Sequence, residues 1–182
     1  MTINWFSFRY RLMKREKTSI LITDFTNFAS QKWKTVNDQV MGGESYSHLQ
    51  IQSNGNGVFI GEISLENGGG FASVKNQSPL NLDGFENIHI KAKGDGNQYS
   101  FRFRTGNAMQ KHHWSYEFKF QTEAGIWQNI RLPLSEFKAV YRGNLVENVP
   151  RADLSAIKEY GFLIGDRQNG HFRLEIDHIE AD

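Results

Sequence analysis

Asn37-Asp38-Gln39-Val40-Met41-Gly42-Gly43, with Trp33 ahead of it and Ser45 behind, is the densest unusual stretch of the sequence. Adjacent glycines permit positive φ or a close approach of two backbones. Asn and Asp side chains accept hydrogen bonds from nearby amides and so shape turns. The stretch is therefore a loop that presents polar groups to a partner or ligand, or a structured corner between two strands. Gly68-Gly69-Gly70-Phe71 is a second glycine cluster. No Gly-Lys-Ser/Thr follows it, and the next element reads as a strand, so it is not a phosphate loop. A bulge or a tight backbone approach is the expectation.

Other chemistry finds little support. The six histidines (His48, His89, His112, His113, His171, His178) include no His-x-His and no His-Glu-x-x-His, so no metal site is expected. There is no Cys, which excludes disulfides and thiolate ligation. Gly94-Asp95-Gly96-Asn97 lacks the acidic density of a calcium loop and reads as a hairpin turn. Asp38, Glu62, Asp95, Glu117 and Glu175 could pair in a fold, but no spacing singles out an acid–base couple. The reading is non-catalytic, with no cofactor.

Polar strand faces offer a different kind of site. Arg102, Arg104, Glu117, Lys119, Arg173 and Glu175 are expected to share one sheet surface, with Trp127 near them. Long charged side chains beside a flat ring suit a sugar or an anion. The same residues would equally make a solvated, salt-bridged outer face.

The elements that position these groups are short strands. Tyr99, Phe101 and Phe103 alternate with Ser100, Arg102 and Arg104; Tyr116, Phe118 and Phe120 alternate with Glu117 and Lys119. Leu49 and Ile51, then Phe59, Ile63 and Leu65, flank Asn54-Gly55, a strong hairpin signal. Ile88, Ile90 and Ala92, then Ile126, Gln128, Ile130 and Leu132, then Phe172, Leu174 and Ile176 continue the pattern. A period of two buries one face of each strand. Helical signals are confined to a turn at Pro133–Phe137 and a short helix over Asp153–Tyr160, capped by Asp153. Many evenly spaced strands with almost no helix predict an all-β antiparallel jelly-roll sandwich.

The net charge of +1 gives no global case for nucleic acid. Residues 1–19 carry five basic side chains and one acidic, a net of +4, which leaves the rest of the chain at −3. They are expected to form a loose basic arm, with residues 20–182 as the domain. No apolar run approaches a membrane span.

Trp33…Asn37-Asp38-Gln39-Val40-Met41-Gly42-Gly43…Ser45 resembles the hallmark of the complex I intermediate-associated protein family. Asp24-Phe25 before it, and Phe59-x-Gly61, Gly69-Gly70-Phe71-Ala72-Ser73, Gly94-Asp95-Gly96-x-x-Tyr99, Trp127-Gln128, Leu132-Pro133, Phe137, Arg142-Gly143, Gly161-Phe162-Leu163-Ile164 and Gly170-x-Phe172-x-Leu174-x-Ile176 after it, fall in the family's order. The resemblance implies a galactose-binding-like jelly roll and an assembly or chaperone role toward another protein. It implies a recognition surface made by Asn37, Asp38, Met41, Gly42, Gly43 and Ser45 together with Arg142 and Gly143. The short chain looks like a bacterial, cytoplasmic, stand-alone member. The alternative is a carbohydrate-binding module using Arg102, Arg104, Glu117 and Trp127, with Tyr116 core by its parity. An exposed aromatic in a concave groove separates these two. An enzyme is a third reading.

Overall fold

A computed structural model describes residues 19–26, 32–106 and 113–182. The basic arm and most of the polar loop Arg104–His113 fall outside the described residues. Among the described residues, thirteen strands, all paired antiparallel, make two sheets. They are β1 (Ile20–Thr23), β2 (Trp33–Asn37), β3 (Tyr46–Ile51), β4 (Gly57–Ile63), β5 (Ala72–Asn76), β6 (Asn87–Lys93), β7 (Gln98–Thr105), β8 (Ser115–Gln121), β9 (Trp127–Pro133), β10 (Lys138–Tyr141), β11 (Asn144–Leu145), β12 (Ile157–Ile164) and β13 (Gly170–Ala181). The six-stranded sheet runs β3-β4-β13-β6-β9, with β1 on β13; the seven-stranded sheet runs β11-β10-β8-β7-β12-β5-β2. The expected all-β sandwich is what forms.

Alternation explains the core. Phe59, Ile88, Ile90, Leu132, Phe172 and Leu174 point inward from one sheet; Val74, Phe101, Phe103, Tyr160 and Phe162 point inward from the other, each at most 4% exposed. Rings interlock within the layers, Phe59 on Phe172 at 4.8 Å and Phe101 on Phe162 at 5.4 Å, and between them, Tyr99 on Phe172 at 6.4 Å. Edge-to-face and offset contacts of this kind add to simple burial.

Two bulges change what the pattern means. In β13 the register shifts between Ile176 and His178. Phe172, Leu174 and Ile176 face the core before it, Ile179 and Ala181 after it, because one extra residue reverses the parity. In β12 a shift between Ile157 and Glu159 puts Ile157 and Tyr160 on the same side. That i, i+3 spacing imitated a helix. The expected helix at Asp153–Tyr160 is a single 3-10 turn, Leu154–Ala156, followed by a central strand. Asp153 does cap it, accepting the Ser155 amide at 3.1 Å. The turn near Pro133 is also 3-10, Leu134–Glu136.

Gly94–Asn97 is a turn but not a hairpin. It carries the chain from β6 in one sheet to β7 in the other. Asp95 braces this corner, accepting hydrogen bonds from the Tyr99 hydroxyl (3.1 Å), the Asn97 amide (3.0 Å) and the Arg173 amide (2.6 Å).

Candidate functional site

The first glycine-rich stretch and the second meet on one carboxylate. Strand β2 ends at Asn37 and runs into a 3-10 turn, Asp38–Met41. Asp38 is fully buried. Its Oδ1 accepts the Ser45 amide at 2.9 Å. Its Oδ2 accepts the Ser45 hydroxyl at 2.5 Å, the Gly70 amide at 2.6 Å and the Phe71 amide at 3.2 Å. Ser45 extends the network, its Oγ accepting the Ser64 amide at 3.0 Å. Burial pushes the Asp38 carboxyl up. The hydrogen bonds from Ser45, Gly70 and Phe71 outweigh that, and it titrates below the ordinary carboxylate value.

Two glycines make the approach possible. A Cβ on Gly43 would lie 2.5 Å from the Asp38 Cγ, and one on Gly69 would lie 2.6 Å from its Oδ2. Both clusters therefore serve a tight backbone approach, toward the same side chain. Asn67 ties the joined loops further, donating to Glu44 at 3.0 Å.

This geometry reassigns the expected recognition residues. Asp38 and Ser45 cannot be presented to a partner, because both are fully buried. Gly43 is half-buried against Asp38, and Asn37 accepts the Ser47 hydroxyl at 2.6 Å. These residues build the loop. Met41 and Gly42 are exposed, as is Val40, which is 72% accessible against 57% for Met41. Leu65, on the loop tied to Asp38, is a third exposed apolar side chain. Val40 and Leu65 were not among the expected residues, although both are exposed. Val40 lay inside the motif and could have been found by asking which of its apolar residues had no strand to pack on. Leu65 shared the parity of Phe59 and Ile63 and was expected to face inward, but β4 ends at Ile63 and leaves it exposed.

Arg142 and Gly143 are not part of this surface. They form the tight turn joining β10 to β11, at φ 50° and 80°, and Arg142 lies over the Tyr141 ring at 5.4 Å. That hairpin is at one edge of the seven-stranded sheet and β2 is at the other. Six strand spacings separate them, roughly 25–30 Å.

The expected charged face also divides. Arg102, Arg104, Glu117 and Lys119 lie on the seven-stranded sheet, whereas Arg173, Glu175 and Trp127 lie on the six-stranded one. The cause is the corner at Gly94–Asn97, which changes sheet where a hairpin would have kept to it. Trp127 is 39% exposed and carries the Lys93 ammonium 5.0 Å from its ring centroid. Lys93 in turn pairs with the buried Glu175 at 3.0 Å.

On the outside of the seven-stranded sheet, Val36, Phe71 and Leu163 together with Lys75, Arg102, Arg104 and Glu159 line a shallow groove of about 210 Å³. Its charges are largely committed to one another. Arg102 donates to Glu117 through Nε at 2.9 Å and Nη2 at 2.7 Å, and Lys75 pairs with Glu159 at 3.3 Å. Phe103, Tyr160 and Phe162 also border the groove but face the core; of its aromatic residues only Phe71 is half-buried rather than buried. Tyr116 is core, as its parity indicated, with its hydroxyl donating to the Pro150 carbonyl at 2.9 Å. No cluster of three or more His, Asp or Glu able to hold a metal exists among the described residues.

Three comparisons bear on this arrangement. The family profile described as Complex I intermediate-associated protein 30 matches residues 23–176. An uncharacterized protein of Schizosaccharomyces pombe is 31% identical over 175 residues, covering 85% of this chain and 80% of its own length. The mitochondrial complex I intermediate-associated protein 30 of Mus musculus is 25% identical, over 81% of this chain and 51% of its own length. A probable counterpart from Caenorhabditis elegans is 29% identical, over 75% and 46%. The chain thus spans about half the length of these two mitochondrial relatives. Among solved structures, the family 11 carbohydrate-binding module of a Clostridium thermocellum cellulase superposes with TM-score 0.69 at 14% identity, covering 90% of this chain and 94% of the module. A family 30 module from the same organism gives 0.58 at 12% identity, over 91% and 97%. At such identities the likeness is one of fold. No helix among the described residues is long and apolar enough to cross a membrane.

Proposed function

The chain belongs to the complex I intermediate-associated protein 30 family, and from that premise we propose that it is a non-catalytic assembly factor that binds another protein through the loop built on Asp38. One observation carries the proposal. A fully buried carboxylate with four hydrogen bonds fixes a loop whose outer side chains, Val40 and Met41, are apolar and exposed. Rigid apolar anchors on an ordered loop are efficient contacts, because little entropy is lost when they dock. Methionine in particular adapts to a partner's surface. The family relation makes subunits of a membrane-bound respiratory complex, in a partly assembled state, the expected partners. The cytoplasmic location expected from the sequence remains part of this proposal. The mitochondrial relatives are its competitor, and fractionation of the source cells separates the two.

The test is affinity purification of the tagged protein from its own cells, with partners identified by mass spectrometry, beside a Val40→Asp/Met41→Asp variant. Both positions are exposed, so the variant should unfold at the wild-type temperature. Recovery of respiratory-complex subunits by the wild type and their loss from the variant is the expected result. Unchanged recovery by the variant removes the loop from the interface.

A second reading, a carbohydrate-binding module, is favoured by the groove that holds Phe71, Arg102 and Arg104. Against it, the groove offers no broad exposed ring, and Trp127 is on the other sheet. A glycan array with Phe71→Ala as control decides it, since a glycan bound in this groove would be lost with the ring.

A further inference from the structure

The end of the sandwich opposite the Asp38 loop is open. There the start of β6, the turn after β9, the strand β10 and the segment leading into β12 enclose a cleft of about 570 Å³, within the range of small-molecule sites. Phe85, Leu134, Phe137, Val149 and Leu154 line it and are each only half-buried, so the chain leaves apolar surface there that it does not cover itself. Tyr116 lies beneath, pinning the segment at Pro150 through its hydroxyl.

Two arginines sit at this cleft, Arg131 and Arg151, against one carboxylate, Glu86. Among the described residues neither arginine is in an ion pair. Arg131 is held in place. Its Nε donates at 2.8 Å to Oδ1 of Asn87, which is 2% exposed, and the Asn87 amide donates in turn to Asp182 at 2.7 Å. A guanidinium fixed by a buried amide beside an apolar recess is the arrangement that recognises an acid group on a hydrophobic body.

We propose that this cleft binds a small monoanionic amphiphile, its aliphatic or aromatic body among Phe85, Leu134, Phe137 and Leu154 and its carboxylate on Arg131 and Arg151. The site is independent of the Asp38 loop, lies at the other end of the molecule and requires no protein partner. Sheet-face grooves do not compete for such a ligand, because their cations already face carboxylates.

Decanoate, 4-phenylbutyrate and, as an uncharged control, decanol are titrated into the full chain below their aggregation limits. Backbone amide shifts locate the site and calorimetry gives the affinity. At least one carboxylate should bind with shifts at residues 85–87, 131–137 and 149–154, and decanol should bind at least about tenfold more weakly. Arg131→Gln should lower carboxylate affinity by a similar factor without changing that for decanol, whereas Met41→Asp at the far end should change neither. An aliphatic body is distinguished from an aromatic one by which probe binds tighter. Failure of both carboxylates to bind overturns the proposal. So do equal affinities for decanoate and decanol, shifts that map elsewhere, or an Arg131→Gln variant that binds like the wild type.

Discussion

At the end of the sandwich where β2 gives way to Asp38, the space between and beside the sheets is taken up by the chain's own polar groups. A carboxylate and one serine hydroxyl gather backbone amides from two loops, and what remains outside includes exposed apolar side chains. At the opposite end, half-buried rings and aliphatic groups surround an open recess, with arginines beside it. The first end stores its stability in satisfied hydrogen bonds and is intolerant of added volume. The second leaves apolar area unfilled, so the same loss of atoms costs it less. An end can be specific by being closed and rigid, or by being open and matched to what enters.

The middle of the core sets the scale for that contrast. Phe101→Ala removes a ring with no exposure that contacts Phe137, Tyr160 and Phe162, and should cost about 3–5 kcal/mol in denaturant unfolding. Asp38→Ala should come next, at about 3 kcal/mol, because it strands the Ser45, Gly70 and Phe71 donors in the interior. If it proves neutral, the closed end is not held by its carboxylate. The same group gives a pH signature. Its folded pKa lies below the ordinary value, so its stabilisation is complete above an unfolded pKa of about 3.9 and is lost as the pH falls through the lower folded value. Glu175 is shifted the same way: burial raises it, and hydrogen bonds from Asn56 and Lys93 bring it down further. Asp38→Asn should therefore flatten the acid limb of the stability curve without abolishing it. Gly43→Ala forces a methyl against the Asp38 carboxyl and should cost about 1–3 kcal/mol. At the open end, Leu134→Ala should cost only about 1 kcal/mol, since that side chain is half-exposed. A larger loss there would mean that the recess is packed, not open.

Strand identity was legible because period-two burial speaks residue by residue. Phe101, Tyr116 and Leu174 face inward as their parity required. Sheet membership was not legible. Whether Gly94–Asn97 folds back or crosses over depends on what Asp95 meets, and Tyr99 and Arg173 supply that only in three dimensions. For that reason Trp127 seemed to neighbour Arg102; Arg142 was grouped with Asp38 by the family resemblance alone, and strand order puts them at opposite edges of one sheet. The importance of the Asp38 motif was also legible, but not its direction. Asn, Asp and Gly together serve an inward knot as readily as an outward site, and only the position of Gly69 and Gly70 beside the carboxylate decides between them. The bulge in β12 misled in a different way, by giving a strand the spacing of a helix.

The topology also has a consequence in time. β12 lies between β7 and β5, and β13 between β4 and β6, so the middle of each sheet is supplied by the strand that comes late in the sequence. Until residues 157–181 have left the ribosome, β4, β5, β6 and β7 each carry an open edge on the side that will later be covered by β12 or β13. Most pairings must then span long stretches of chain, the regime of slow folding. A nascent chain that stalls before this point exposes unpaired strand edges able to add to another chain, which makes the interval before β12 the period when this protein itself depends most on protection.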